Sequence, residues 1–378
     1  MTTYADDVEF LKSHAQVVEL AGPGRSRAVV VPAYQGRVMT ATATGSEGQG
    51  YGWINTDFIA SGRHNDVMNN YGGMDRFWLG PEAGQFGLFF PAQAAFELSL
   101  WKCPPGFNTG SFTVTSQGAS SVAMAMQFQV ANYTGTEFDC AVKRTITVLS
   151  VKNACKHLSI TLPVGVEMVA VESKNVLANA GPSDWTPEGG LVSVWILGMF
   201  KALPHGRVIV PFRPGDEAKL GPKATTDYFG ALPSERCRVA DNYVTFACDG
   251  NFRSKIGVSP ARARNVFGSY DPDRKALTIV QFNLPAGARD LPYVNSLWEI
   301  QKQPFAGDAV NSYNDGRADR TPQTPSFFEM ESSSPAATLR KGQHIDHIQR
   351  TYHFVGPEPA LSDLARKILG VELKETLG

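Results

Sequence analysis

Two carboxylates in the stretch SFFEMESSSPAATL, from Ser326 to Leu339, are the side chains best placed for proton chemistry. Glu329 and Glu331 lie two residues apart beside two phenylalanines, in a segment typical of a β-strand. Side chains two apart along a strand point to the same face. If both face one cleft, their repulsion raises the pKa of one and leaves an acid beside a base. The spacing therefore predicts a pair of general acid/base groups.

Four stretches are unusually dense in polar and aromatic side chains: residues 61–82, 172–185, 293–316 and the stretch just described. Amides and carboxylates can bond the hydroxyls of a sugar in pairs, and an indole ring can stack on the apolar side of a sugar ring. A few such polar groups in a largely apolar pocket are typical of small-molecule sites. We therefore predict a carbohydrate-binding cleft. Its candidate binding residues are Asp75, Arg76, Asn175, Trp298, Glu299, Asn314 and Asp315.

Some of these residues have simpler explanations. Asn314 and Asp315 precede a glycine in YNDG, a combination common in turns. Asp75 and Arg76 could form a structural salt bridge. Glu299 is harder to explain in this way, because a carboxylate between tryptophan and isoleucine needs a partner or an exposed cleft.

The composition excludes several classes of function. The 378 residues are 43% hydrophobic and 19% charged with a net charge of −1, so we expect a globular protein without a nucleic-acid partner. No apolar run approaches the roughly 18 residues of a membrane span, and the N-terminus does not resemble a secretory signal. We therefore predict no membrane partner and a cytoplasmic location.

Motifs typical of metal sites, phosphate loops and serine hydrolases are missing. The five cysteines show no CxxC spacing and fit reduced thiols. GPGRSR at Gly22 lacks the features of a phosphate loop, and GxSxG does not occur. His344 and His347 lie three apart in a predicted strand, where they would face opposite sides. We predict no cofactor and no metal.

The rest of the chain consists mainly of strand patterns joined by turns, in agreement with 36 glycines and 24 prolines. Predicted strands include GQFGLFF, SFTVTSQ, VAMAMQFQVAN, CAVKRTITVLSV and HLSITLPV. Residues 4–20 could form a helix, and NDGRADRTPQTPS reads as a polar loop. An apolar stripe predicts a C-terminal helix; it consists of Leu361, Leu364, Ala365, Ile368 and Leu369. The pattern predicts one large, mostly antiparallel β-sandwich.

The stretch FEMESSSPAATLRKGQHIDHIQRTYHF resembles the C-terminal strands of the galactose mutarotase-like superfamily, which includes the aldose 1-epimerases. There, an acid-containing strand is followed by a proline, L-x-x-G and a strand ending T-x-x-F; the counterparts here are Glu331, Pro335, 339–342 and 351–354. The stretches GGMDRFWLGPEAGQF, LGMF, RSKIG, NSLWEIQ, NSYNDG and ESSSPA resemble a bacterial branch of this superfamily.

This resemblance covers most of residues 20–355 and implies an all-β, mostly antiparallel supersandwich, to which the apolar stripe adds a C-terminal helix. We therefore predict a single domain over residues 1–378, with its core at about 20–355 and the terminal helix at 357–376. Sheet edges in such folds often pair, so a homodimer is left open. The expected partner is a small-molecule carbohydrate.

The resemblance also implies a chemistry. In aldose 1-epimerases a strand glutamate removes the anomeric proton while a histidine protonates the ring oxygen, and Glu331 matches that glutamate best, with Glu329 as its neighbour. The histidine motif N-H-x-Y-F-N-L has no counterpart in VAVESKNVLANAG, the region that corresponds to it. The candidates for the missing acid are His64, Lys174 and Arg76.

Three functions remain open. The favoured one is an aldose 1-epimerase-like isomerase that acts on a free sugar by glutamate-based acid/base catalysis. A lyase or hydrolase on the same fold is the second, since Glu299 and the residues 313–315 could support proton abstraction or hydrolysis. The third is a carbohydrate-binding protein without catalysis, which the missing histidine supports.

Overall fold

The computed structural model describes residues 2–316 and 326–377. The polar loop predicted from Asn314 to Ser326 lies for the most part outside these ranges. Within them, the strands are β1 Val18–Ala21, β2 Arg27–Val31, β3 Arg37–Thr42, β4 Arg76–Gly80, β5 Thr113–Gln117, β6 Ser121–Ala131, β7 Glu137–Val148, β8 Glu167–Asn179, β9 Ser193–Lys201, β10 Arg207–Pro211, β11 Cys237–Val239, β12 Tyr243–Ala247, β13 Ser254–Val258, β14 Val266–Asp271, β15 Ala276–Phe282, β16 Val310–Asn314, β17 Phe327–Ser333 and β18 His344–Val355. The α-helices are α1 Tyr4–Lys12, α2 Thr56–Ala60, α3 Pro105–Asn108, α4 Val151–Leu158, α5 Glu217–Leu220, α6 Glu358–Ile368 and α7 Leu373–Leu377.

The strands form three sheets. A ten-stranded sheet has the order β11-β12-β10-β14-β15-β18-β8-β7-β6-β5, a five-stranded sheet the order β13-β16-β17-β9-β4, and β1 to β3 form a small third sheet. Neighbouring strands in these sheets run antiparallel. The prediction of an all-β, mostly antiparallel sandwich is confirmed; that it forms a single domain stays a prediction.

The main core lies between the two large sheets, because alternate residues of each strand point into it. In β17 the inward residues are Phe328, Met330 and Ser332. Phe328 and Met330 belong to the apolar core, and the Ser332 hydroxyl donates a hydrogen bond to Gln349 Oε1 of β18 at 2.7 Å. This alternation leaves Phe327, Glu329 and Glu331 on the other face of the five-stranded sheet.

A second core covers the opposite face of the ten-stranded sheet. The helix stripe at Leu361, Leu364, Ala365 and Ile368 is buried there against β15 and β18 residues such as Leu277. The predicted C-terminal helix is confirmed. None of the helices within the described ranges is long and apolar enough to cross a membrane.

Three local predictions were wrong. The helix predicted over residues 4–20 ends at Lys12, and Val18–Ala21 instead pairs with β2. In GQFGLFF the chain forms a loop whose Phe89 and Phe90 fill the core, so the aromatic residues reflect burial rather than a strand. HLSITLPV begins inside α4, which ends where Ser159 adopts a left-handed conformation with φ of 55°.

Candidate active site

The outer face of the five-stranded sheet forms the floor of a cleft of about 600 Å³. Each strand contributes alternate side chains to this floor, since Arg76 lies opposite Leu197 and Tyr313 opposite Glu329 in the strand register. The sides of the cleft are formed by residues of the segments 55–70 and 82–101, by Phe229 and by Trp298. The lining includes Arg76, Trp78, Glu82, Trp101, Trp195, Arg253, Lys255, Trp298, Tyr313, Asp315 and Glu329.

Glu329 lies at the cleft surface in an ion pair. Arg76 Nη2 of β4 donates a hydrogen bond to Glu329 Oε1 at 2.8 Å, and the guanidinium of Arg76 stacks 4.1 Å from the Trp78 ring centroid. Burial raises the pKa of Glu329 to about 7, and repulsion by Glu331 adds to the effect of burial while Arg76 opposes it. Near neutral pH this carboxyl can therefore both accept and release a proton.

Glu331 lies beneath the cleft surface and is fully buried. Its Oε2 accepts hydrogen bonds from Lys255 Nζ at 3.0 Å and from Trp195 Nε1 at 2.8 Å. Burial lowers the pKa of Lys255, but the carboxylates of Glu331 and Glu82 outweigh burial, so the net effect is to raise it. Lys255 thus remains an ammonium group that closes Glu331 off from the cleft.

Glu82 forms a third acidic position. It follows Gly80 and Pro81 at the end of β4, and its Oε1 accepts a hydrogen bond from Trp101 Nε1 at 2.8 Å. The Trp298 indole lies near the same carboxyl and, like the Trp101 indole, opposes a rise of its pKa. Burial raises the pKa of Glu82, and Lys255 and the indole donors only partly oppose this shift.

A further acid and base lie toward the other end of the floor. The Tyr313 hydroxyl donates to Asp315 Oδ1 at 3.4 Å, and burial raises the pKa of Tyr313. The guanidinium of Arg253 lies 3.7 Å from the Phe229 ring centroid. The cleft is therefore lined by both aromatic rings and charged groups, a combination suited to a polyhydroxylated ring with one apolar side.

Of the residues predicted from the sequence, four line this cleft: Arg76, Trp298, Asp315 and Glu329. Glu331 lies directly below it. The expectation that Glu329 and Glu331 share one face of a strand agrees with the structure. Glu329 reaches the cleft, whereas Glu331, the glutamate that the resemblance favours as the base, is buried behind Lys255.

Three predicted binding residues are structural in the observed arrangement. Asp75 pairs with Arg144 in the buried space between the sheets, and Arg144 Nη1 donates to Asn175 Oδ1 at 2.6 Å. Asn314 is buried, accepts from the Gly250 amide at 2.9 Å and donates to the Phe252 carbonyl at 3.0 Å. These polar groups hold strands and loops together and do not line the cleft.

The other predicted residues lie elsewhere on the molecule. Glu299 is exposed beside Trp298 but does not line the cleft. His64 is exposed, 3.2 Å from Asp66, and also lies outside the lining. Lys174 belongs to β8 of the ten-stranded sheet, where its ammonium is 3.4 Å from Asp346. The structure therefore brings neither His64 nor Lys174 to the carboxylates.

Sequence reasoning missed Glu82, Lys255, Trp101 and Trp195. A signal existed for Lys255, because a lysine inside the apolar strand SKIGV must find a buried partner. Glu82 gave no comparable signal, since GPEAG reads as an ordinary turn. Among the residues described, no group of three or more His, Cys, Asp or Glu side chains could hold a metal ion.

Comparison with known proteins bears on the family and the fold. The model of a family described as "Family of unknown function (DUF6786)" matches residues 2–377. No curated protein matches the chain.

Three solved bacterial proteins resemble this chain in structure. A protein described as "Putative aldose 1-epimerase" from Escherichia coli K12 is 11% identical, with a TM-score of 0.51 over 90% of this chain and 99% of its own. Slr1438 from Synechocystis sp. PCC 6803 is 11% identical, with a TM-score of 0.52 over 91% of this chain and 96% of its own. A galactose mutarotase-like protein from Lactobacillus casei ATCC 334 is 10% identical, with a TM-score of 0.47 over 89% of this chain and all of its own.

The first two comparisons confirm the galactose mutarotase-like fold that the sequence predicted. The family model matches residues 2–377 and identifies the family independently of the structure comparisons. The chain belongs to DUF6786, a family of unknown function, and carries that fold.

Proposed function

We propose that the cleft binds a carbohydrate and that Glu329 acts as a general base on it, in an aldose 1-epimerase-like interconversion of anomers. The observation that carries this proposal is the position of Glu329. Its carboxyl lines the cleft, pairs with Arg76 at 2.8 Å and has a pKa raised to about 7. A base with a pKa near the working pH is the most effective proton acceptor.

The reaction needs two proton transfers and no cofactor. Glu329 removes the proton from the anomeric hydroxyl of the cyclic sugar; the O–H electron pair forms the C1=O1 carbonyl, and the bond from C1 to the ring oxygen breaks. The ring oxygen takes a proton from an acid in the cleft. Rotation about the bond between C1 and C2 presents the other carbonyl face, and the reverse transfers close the ring.

Two further features support a carbohydrate ligand. Trp78, Trp101, Trp195 and Trp298 line the same cleft beside charged hydrogen-bonding groups. The Escherichia coli protein of similar fold is described as "Putative aldose 1-epimerase", which makes this reaction the first to test.

A carbohydrate-binding role without catalysis is the second candidate. The observation that favours it is the lining itself, because no histidine occurs among the described residues that form the cleft. Glu329 and Glu331 are each held by a cation, as they would be in a site that only binds.

Anomer exchange measured by NMR on a panel of free aldoses and uronic acids distinguishes the two roles. We expect the protein to accelerate exchange of at least one sugar and Glu329→Gln to lower that rate by about 10²–10⁴-fold, the range for loss of a general base. Glutamine retains a carbonyl that can accept from Arg76, so folding should survive.

The matched control is Glu137→Gln, which changes an exposed glutamate on β7 of the other large sheet. It should leave the exchange rate unchanged. Sugar binding detected by calorimetry, without faster anomer exchange for any sugar, would support the binding role. Full exchange activity in Glu329→Gln would refute Glu329 as the base.

A further inference from the structure

We propose that Glu82 is the acid of this cleft, the group that protonates the ring oxygen when the sugar opens. The inference rests on the proposed function and names a catalytic residue for it. Glu82 comes from the loop that follows β4, whereas Glu329 comes from β17 on the floor.

The backbone of Glu82 is fixed on both sides. Its amide donates to the Ser296 hydroxyl at 3.0 Å, and its carbonyl accepts from the Phe89 amide at 3.2 Å. The bond to Ser296 connects the loop after β4 to the segment that carries Trp298, and the bond from Phe89 lies within the loop itself. The carboxyl is thus held in place at the cleft before any ligand binds, as an efficient proton donor requires.

The side chain of Glu82 has neutral hydrogen-bond partners. Trp101 Nε1 donates to Oε1 at 2.8 Å, and the Trp298 indole provides a second contact. By contrast, Glu329 is bonded to Arg76 and Glu331 to Lys255. A cation stabilises the ionised form of a carboxyl that it contacts more than a neutral indole does. A carboxyl between indole rings therefore keeps its proton more readily than one bonded to a cation.

The charges of the cluster point to the same carboxyl. Glu82, Glu329 and Glu331 share their surroundings with the cations Arg76 and Lys255. Arg37, which interacts with Arg76 and Glu329, and Asp308, which interacts with Lys255, add one charge of each sign. With all three carboxyls ionised, the group carries one surplus negative charge in a largely desolvated place. Arg253 and Asp315, farther along the floor, add one charge of each sign. One proton restores the balance, and Glu82 is the carboxyl that lacks a hydrogen-bonded cation.

The proton inventory of the reaction closes with this assignment. Glu329 takes the proton of O1, and Glu82 gives its own to the ring oxygen. When the ring closes on the other carbonyl face, the ring hydroxyl returns a proton to Glu82, and O1 regains one from Glu329. Both carboxyls end as they began, so neither metal nor redox partner is needed for the transfer.

The test compares Glu82→Gln with Glu97→Gln, an exposed glutamate on the same covering loop. We expect Glu82→Gln to lower the rate of anomer exchange by about 10²–10⁴-fold while sugar binding changes by less than about threefold. In the wild type, ionisation of Glu82 should lower the exchange rate as the pH rises. The residual exchange rate of Glu82→Gln should not show this decrease. Glu97→Gln should match the wild type. Exchange within twofold of wild type in Glu82→Gln would overturn the assignment.

Infrared spectroscopy gives a readout that does not need turnover. Near neutral pH the wild-type protein should show the C=O stretch of two protonated carboxyls, Glu82 and Glu329, the second of which titrates near pH 7. The Glu82 component should be lost in Glu82→Gln and should persist in Glu329→Gln and in Glu97→Gln. A band that is unchanged in Glu82→Gln contradicts the inference even if the epimerase reaction is real. If the wild type exchanges no anomers, the proposed function and the donor role fall together, whatever the band shows.

Discussion

Glu329 and Glu331 show how two identical side chains on one strand face acquire different properties. Glu329 pairs with Arg76 and meets the cleft, whereas Glu331 is closed in by Lys255 and Trp195. The sequence could place both on one face, because that follows from strand periodicity. It could not show which one is sealed, since the sealing residues come from β13 and β9, far away along the chain.

The raised pKa of Glu329 makes the stability of the protein depend on pH. The folded state holds this proton up to about pH 7, while an unfolded glutamate releases it near 4.5. Stabilisation from this group is therefore complete below about pH 4.5 and is lost as pH rises to 7. At about 1.4 kcal/mol per pKa unit, the loss amounts to roughly 3 kcal/mol.

Urea unfolding at several pH values checks this expectation. The difference in the free energy of unfolding between the wild type and Glu329→Gln should decrease by roughly that amount between pH 4.5 and 7.5. Contributions from other titrating groups are the same in both proteins and cancel in this difference. They include His347 and His353, because burial lowers the pKa of each to about 3. A difference that stays constant over this range would contradict a shifted pKa at Glu329.

At the scale of elements, strands and the terminal helix were predictable where periodicity matched burial. The stripe on α6 is an example, because Leu361, Leu364 and Ile368 are buried as the pattern indicated. The pattern failed in GQFGLFF, where Phe89 and Phe90 enter the core from a loop. Loops that close over a cleft, such as the one carrying Glu82, have no period and could not be placed from the sequence.

The packing of α6 leads to a prediction about stability. Leu364 is fully buried in the core on the outer side of the ten-stranded sheet. Leu364→Ala should lower the free energy of unfolding by about 2–5 kcal/mol, because it removes buried methyl groups and leaves a cavity. Urea denaturation followed by circular dichroism measures this change.

Lys367→Ala on the same helix is the control. Lys367 is about half exposed and forms an i,i+4 pair with Asp363 at 2.6 Å, a contact worth about 0.5 kcal/mol or less. Equal effects of the two substitutions would show that α6 does not contribute to the core as the contacts indicate.

At the scale of the whole molecule, the ten-stranded sheet connects the two cores. Val169 and Val171 of β8 belong to the core between the sheets, and Met168 and Ala170 belong to the core beneath the helices. A strand that packs on both faces cannot lose one core without exposing part of the other. The prediction of a single domain from the sequence therefore has a physical basis in this strand.

Unfolding followed by two probes tests that prediction. The six tryptophans all lie in the described residues, and none belongs to the core beneath the helices, whereas circular dichroism reports on all strands and helices. For one cooperative unit, tryptophan fluorescence and circular dichroism should give the same urea midpoint. Leu364→Ala should shift both midpoints equally, and separate transitions would divide the chain into independently folding parts.

The alternation along β17 also determines how the protein can be redesigned. Odd-numbered positions 327, 329 and 331 face the cleft side, and even-numbered positions 328, 330 and 332 face the other large sheet. A combinatorial library confined to the odd positions could retarget the ligand while the packing between the sheets stays intact. Inserting one residue at the start of β17 would exchange the two sets and place carboxylates in the apolar interior.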